Sequence, residues 1–99
     1  MSAFDLTKSA QADLKSIARH TQEHWGTRQR NAYLKEMDQV FRSLAKNAVM
    51  GRTCDHIREG YRKFPHGAHV IHYKQVEKED LLIVRILHSA MDVELHIGT

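Results

Sequence analysis

The sequence predicts an α+β domain in which an antiparallel helical hairpin packs on one face of a largely antiparallel sheet. Two textures predict it. In the first half, apolar residues recur at steps of three and four, the period of a helix buried on one side. From residue 57 onward, short branched or alternating runs are separated by polar turns, the texture of strands. The chain has 99 residues, so both halves must share one core, and residues 1–99 are read as a single domain.

Residues 3–6 alternate, with Phe4 and Leu6 on one side, and read as a short strand. Thr7 then offers a hydroxyl to the free N–H groups of a helix start. Ala10, Leu14, Ile17, Ala18 and Thr21 form the apolar stripe of that helix, which ends near Trp25 and Gly26. Thr27 is placed to cap a second helix. Its stripe is Tyr33, Leu34, Met37, Val40, Phe41, Leu44 and Ala45, the clearest periodicity in the chain. So short a connection makes the two helices antiparallel. Gly51 closes the helical half. Residues 57–64 read as a strand, and Pro65, His66 and Gly67 as a turn. Residues 68–76 alternate, residues 77–80 are a polar reversal, and residues 81–87 form a central, mostly buried strand. The order is β-αα-βββ, and the last ten residues are left unassigned.

Composition narrows the function. Fifteen Lys and Arg against twelve Asp and Glu give a formal charge of +3. Residues 8–46 carry eight basic and four acidic groups, and residues 52–74 carry five and two. Residues 75–99 reverse the balance, with two basic and five acidic groups. The first three quarters suit an acidic partner. A domain this small buries roughly two-thirds of its unfolded surface, enough for one core but too little for a deep substrate cavity as well. The single Cys54 closes no disulfide within the chain and points to a reducing compartment, so a cytoplasmic protein is expected. The longest apolar run is residues 81–84, far short of the ~20 needed to span a bilayer. The first residues lack the basic flank and apolar stretch of a signal peptide. No membrane association is expected.

One string in the second half is specific: Ile57-Arg58-Glu59-Gly60-Tyr61-Arg62-Lys63-Phe64-Pro65-His66-Gly67-Ala68-His69-Val70-Ile71-His72-Tyr73. After a turn come Ile83-Val84-Arg85-Ile86-Leu87-His88, then Met91-Asp92. The first half adds Leu6-Thr7, Asp13-Leu14, Ile17, Trp25-Gly26, Tyr33 and Gly51-Arg52. Over essentially the whole chain this resembles the ParE toxins of bacterial toxin–antitoxin modules, in the ParE/RelE superfamily. The resemblance implies a compact toxin of β-αα-βββ order. It also implies a ParD-like antitoxin whose C-terminal segment wraps and silences the toxin in a hetero-oligomer. The ParE branch acts on DNA gyrase, whereas the RelE branch shares the fold and cuts mRNA on the ribosome.

Cleaving RNA through its 2′-hydroxyl needs a base, an acid and cations on the phosphorane. RelE-like enzymes supply these from the sheet face and the C-terminus with Arg, Lys, Tyr or His. At the matching positions this chain has Val70 three residues before Tyr73, and Ser89-Ala90 after His88. Its last residues hold no Lys, Arg or Tyr. No catalytic residue is therefore assigned, and the chain is not expected to be an enzyme. Tyr73 reads as a core residue, Arg85 as half of an ion pair with Asp92 or Glu94, and His88 as a turn residue. His88, Ser89 and Asp92 lie too close in one loop to align as nucleophile, base and orienter. Eight histidines invite a metal. Yet His20 and His24 lack a third ligand, and the strand period of two sends His69 and His72 to opposite faces. No metal and no cofactor are expected.

Binding surfaces remain. Trp25 at the hairpin tip, with Arg28 and Arg30, and the group His88, Met91 and Asp92 are the candidate contacts to the target. Arg58, Arg62, His72 and Arg85 are the candidate contacts to the antitoxin, in a groove between hairpin and sheet where a helix or an added strand would lie. The expected function is inhibition of DNA gyrase by binding, with operator DNA reached only through the antitoxin. The competing reading is a ribosome-dependent mRNA endonuclease of RelE type.

Overall fold

A computed structural model describes residues 3–76 and 80–91. The chain runs β1 (Ala3–Leu6), α1 (Lys8–Trp25), α2 (Thr27–Lys46), a 3-10 turn (Ala48–Met50), β2 (Arg52–Thr53), β3 (Tyr61–His66), β4 (His69–Gln75) and β5 (Asp80–His88). The strands form one sheet in the order β1-β5-β4-β3-β2. Only β1 and β5 pair in parallel, and the other three pairings are antiparallel. This is the expected β-αα-βββ order with one addition, the two-residue β2.

Thr7 starts α1 with its side-chain oxygen accepting the Ala10 N–H at 3.0 Å. The hairpin turns on Gly26, whose φ of 91° is open to glycine and strained for other residues. Gly26, not Thr27, is the N-cap of α2, and it supplies no side-chain cap. The reversal needs the left-handed conformation at that position, so Thr27 falls inside the helix. Ala10 and Ile17 of α1 and Met37, Phe41, Leu44 and Ala45 of α2 bury against Ile71 and Tyr73 of β4 and Leu81, Ile83 and Ile86 of β5. Each such aliphatic side chain contributes about 1.5–3 kcal/mol by leaving water. Phe4 of β1 joins them, its ring centroid 5.4 Å from that of Phe41.

The alternation of β4 fixes both faces of the sheet. Ile71 and Tyr73 lie in the core under the helices, so His72 lies on the other face. There a smaller cluster of Cys54, Tyr61 and Leu87 forms, with Ile57 and Val84 against it.

Two boundaries differ from the sequence reading. Residues 57–60 are not strand, because Asp55 and Gly60 close a turn first: the Asp55 carboxylate accepts the Gly60 N–H at 2.9 Å. Pro65 and His66 are strand, not turn, and the reversal comes at Gly67 and Ala68. Pro65 is tolerated because β3 is an edge strand past the end of β2. By alternation its missing N–H would point outward, where no ladder partner waits. Of the expected reversal at 77–80, Asp80 is instead the first residue of β5, drawn into the sheet by its pairing with Ala3, and residues 77–79, like the last eight residues, lie outside the described residues.

The link from α2 to the sheet hangs on one hydroxyl. Tyr73 Oη donates to the Ala48 carbonyl at 2.6 Å and accepts the Gly51 N–H at 2.9 Å. A Cβ on Gly51 would collide with Tyr73 Oη and come within 2.7 Å of the Lys63 carbonyl. Tyr73→Phe should therefore cost about 1–3 kcal/mol through the orphaned Gly51 N–H and Ala48 carbonyl. Gly51→Ala should also destabilise, and the double variant by less than the sum, since both disrupt one contact. Urea midpoints at constant m-value measure all three.

Candidate interaction surfaces

β1 is four residues long and pairs with β5 only as far as Ile83. Beyond that point the first residues of the hairpin serve the exposed edge of β5. Thr7 Oγ1 donates to the Val84 carbonyl at 2.7 Å. Asp13 of α1 accepts the Ile86 N–H at 2.9 Å and also receives Arg85, with Nε at 2.8 Å and Nη2 at 2.9 Å. Arg85 is thus a structural ion-pair residue, as its place in an apolar strand required. Its described partner is Asp13 of α1; Asp92 and Glu94, the partners anticipated from sequence, lie outside the described residues. The carboxylate raises the Arg85 pKa further above its ordinary value. Removing Asp13 would cost on the order of 3 kcal/mol, because a half-buried guanidinium and a backbone N–H lose their acceptor together.

The other candidate antitoxin contacts separate. Arg62 Nη1 donates to the Gly51 carbonyl at 2.8 Å, which makes it a second tie on the segment held by Tyr73. Arg58 is exposed on the turn before β3. His72 does not line a groove between hairpin and sheet, because it lies on the opposite face. It is buried to 1% exposure, and among the described residues neither ring nitrogen has a hydrogen-bond partner. Burial, and after it the charges of Lys63 and Arg85, press its pKa down to about 4, so it is neutral at pH 7.

The register explains that pressure and reveals residues the sequence reading passed over. Arg52 pairs with Lys63, Lys63 with His72, and His72 with Arg85. One cross-strand row thus runs Arg52–Lys63–His72–Arg85 over four strands. Beside it a cavity of about 490 Å³ is lined by Met50, Arg52, Lys63, Phe64, Pro65, Val70, His72 and Ser89. The basic count over 52–74 held both Arg52 and Lys63, but only the pairing places them opposite each other.

The candidate target contacts collect at the far end of α1. Trp25 does not pack over the hairpin: it is 74% exposed. Arg28 is exposed beside it, and Arg30 reaches back to Gln22 and to Asn31. His88 ends β5 as a turn residue, its Nδ1 accepting the Ala90 N–H at 3.1 Å. His88 and Met91 line a cavity of about 270 Å³ with His20 and His69. Since His20 lies five residues before Trp25, about 7.5 Å along the helix, the two groups share one end of the molecule. Asp92 lies outside the described residues.

His69 faces the helices, opposite to His72 as expected. Tyr33 Oη donates to the His66 carbonyl at 3.0 Å, and His69 Nδ1 lies 2.8 Å from the same oxygen. Burial and the nearby His88, His20 and His66 lower the His69 pKa. Among the described residues no three His, Cys, Asp or Glu side chains are grouped to hold a metal.

Comparison with known proteins now decides the family. Residues 4–93 match the family described as ParE toxin of type II toxin-antitoxin system, parDE. The chain belongs to the ParE toxin family. It is 38% identical to Toxin ParE1 of Mycobacterium tuberculosis over 96 residues, covering 97% of this chain and 98% of that one. Toxin ParE1 of Caulobacter vibrioides is 31% identical, at 99% and 100% coverage, and Toxin ParE of Escherichia coli 30%, at 94% and 90%. Among solved structures, a chain of the chromosomal ParDE TA system from P. aeruginosa superposes with a TM-score of 0.71 over 89% of this chain and 95% of that one. At 21% identity that likeness shows the fold. No helix of this ParE-family chain is long and apolar enough, among the described residues, to cross a membrane.

His72 gives the chain a specific acid response. Its folded pKa of about 4 lies below the ordinary value of 6.5, so between those pH values the unfolded chain binds a proton that the folded chain does not. Stability therefore falls as pH drops through that window, by up to ~3 kcal/mol, and His72 contributes no slope above it. His72→Leu should fold at neutral pH, since both unpartnered nitrogens leave with the ring. Its unfolding free energy, measured by urea at pH 7, 5.5 and 4, should lose less on acidification than that of the parent.

Proposed function

We propose that this ParE-family chain inhibits DNA gyrase by binding it, without catalysis, and that a ParD-like antitoxin silences it. The observation that carries the reading is that Tyr73, Arg62 and Arg85 of the sheet are engaged in the fold and that His72 is buried. Tyr73 is held between two backbone groups, Arg62 holds a third, Arg85 is occupied by Asp13, and His72 is buried and neutral. A phosphodiester would have to displace these ties to be cut. The relatives named as ParE toxins, and the ParDE name of the structural neighbour, support an antitoxin partner for this chain as well.

The exposed surfaces suit a protein that acts by contact. Trp25, Arg28 and Arg30 project from the hairpin tip, with His88 and Met91 at the same end, and Asp92 follows them in sequence. These are the proposed contacts to gyrase. Arg58, Arg62, His72 and Arg85 border the surfaces proposed for the antitoxin, Arg58 directly and the other three as the frame behind it. The complex is a cytoplasmic hetero-oligomer, with operator DNA held by the antitoxin.

Purified chain incubated with gyrase, relaxed plasmid and ATP should abolish supercoiling or leave linear DNA after protein denaturation. Trp25→Ala should reduce that inhibition tenfold or more with an unchanged melting temperature, because an exposed tryptophan contributes to an interface and little to this core. Unimpaired supercoiling by folded protein, together with codon-positioned cuts in mRNA on ribosomes, would instead establish the endonuclease reading.

A further inference from the structure

The row across β2, β3 and β4 is unfavourable as it stands. Arg52 and Lys63 sit directly opposite each other on neighbouring strands, and like charges in that relation repel. Lys63 is in turn opposite His72. Arg85, at the far end of the row, is neutralised by Asp13. Among the described residues no carboxylate pairs with Arg52 or Lys63, and none lines the adjoining cavity. His72 adds a second cost, since among the described residues its two buried ring nitrogens go without partners where such groups are ordinarily satisfied. Two adjacent cations, with a donor and acceptor that no described residue satisfies, describe a surface suited to an acidic partner.

The cavity wall limits what completes it. Met50, Phe64, Pro65 and Val70 supply an apolar side to the basic one. Met50 is 44% exposed, and its neighbour Val49 is 67% exposed. β2 begins at Arg52, opposite Lys63, so among the described residues the outer edge of β3 past Lys63 is open. A bare phosphate backbone would satisfy the cations and leave the aliphatic side wet. The aromatic ring in this wall, Phe64, is half-buried against the core under the helices, and its neighbours Met50, Pro65 and Val70 are not aromatic, so the wall offers no run of platforms on which successive nucleic-acid bases stack. An acidic peptide with aliphatic neighbours satisfies both sides.

We infer that the Arg52–Lys63–His72 row and its cavity seat an acidic segment of the antitoxin, with a carboxylate at Arg52 and Lys63 and an aliphatic side chain against Met50 and Phe64. This rests on the reading that the chain binds a ParD-like antitoxin, and it adds where and through what chemistry. Lys63 and His72 lie on the sheet face away from the helical hairpin, whereas Phe64 packs toward the core under it and with Met50 borders α2, so the site wraps the open edge of β3 far from the hairpin tip. Trp25 and the hairpin tip are therefore separate from it, and the antitoxin need not cover them in order to bind here.

The test uses the full chain and a purified ParD-like antitoxin, with affinity read by calorimetry at 50 and 500 mM salt. The double reversal Arg52→Glu/Lys63→Glu should weaken binding about a hundredfold at low salt and flatten the salt dependence. Lys8→Glu/Arg19→Glu, on the exposed side of α1, should stay within threefold of the parent. The single variant Arg52→Glu should fold with an undiminished melting temperature, because it places a carboxylate opposite Lys63. That melt separates a lost site from a lost fold. Parent that does not bind the antitoxin at all would overturn the functional reading itself. Parent that binds, with the double reversal binding within threefold, would overturn this site alone. A fluorescein-labelled single-stranded RNA that the parent binds and the double reversal releases, with antitoxin affinity unchanged, would assign the row to nucleic acid instead. A parent dimer in sedimentation that the double reversal dissociates, again with antitoxin affinity unchanged, would assign it to a second copy of the chain.

Discussion

β1 runs beside β5 for four residues and stops, and the Asp13 carboxylate does what a longer strand would have done. It accepts the Ile86 N–H and holds Arg85 in two hydrogen bonds. Three consequences follow from this one group. α1 is fixed on β5 by polar contacts as well as by Ala10 and Ile17. The open edge of a central strand is closed against pairing with other chains. A guanidinium inside an apolar strand is neutralised, so β5 can be buried at all. Asp13 sits in the first half of the chain and its partners 72 and 73 residues later, so the contact also fastens the hairpin to the sheet.

The sheet has two faces with different work to do. Under the helices it is dry, and Tyr73 spends its hydroxyl on backbone groups at the end of the hairpin. On the other face a small cluster around Cys54, Tyr61 and Leu87 covers one part. The rest carries the basic row with His72 behind it. Burial raises the Cys54 pKa above its ordinary value, which leaves a small apolar side chain and no reactive thiolate at neutral pH. The residue types that resemble a catalytic kit are spent on holding the fold, and the groups left unsatisfied are those suited to contact. That division is the physical reason for a binding reading over an enzymatic one.

Much of this was legible in the sequence, for identifiable reasons. The stripe from Tyr33 to Ala45 has a period that only a helix satisfies, and Gly26 marked the reversal. The run from Leu81 to Leu87 could only be a buried strand. Local chemistry was less legible where tertiary pairing overrode it. Pro65-His66-Gly67 carries turn residues, yet two of them extend a strand because its edge faces solvent. β2 is two residues long and exists only because Lys63 and Arg62 lie opposite, so no periodicity announced it. Arg85 was recognisable as half of an ion pair, but its acceptor lay on another element. The face occupied by His72 followed from alternation, whereas its neighbours Lys63 and Arg85 required the register. For the candidate site, the residue types were therefore visible and their arrangement was not.

The central claim is that Tyr73, Arg62 and Arg85 of the sheet hold structure and do not perform chemistry. It is tested most directly by gyrase inhibition per folded molecule in Tyr73→Phe, with the folded fraction taken from the same sample's unfolding curve. The account predicts that the variant is less stable and that each folded molecule inhibits as well as the parent. A variant that stays folded, and whose folded molecules have lost activity by tenfold or more, would place the Tyr73 hydroxyl in the reaction and contradict it.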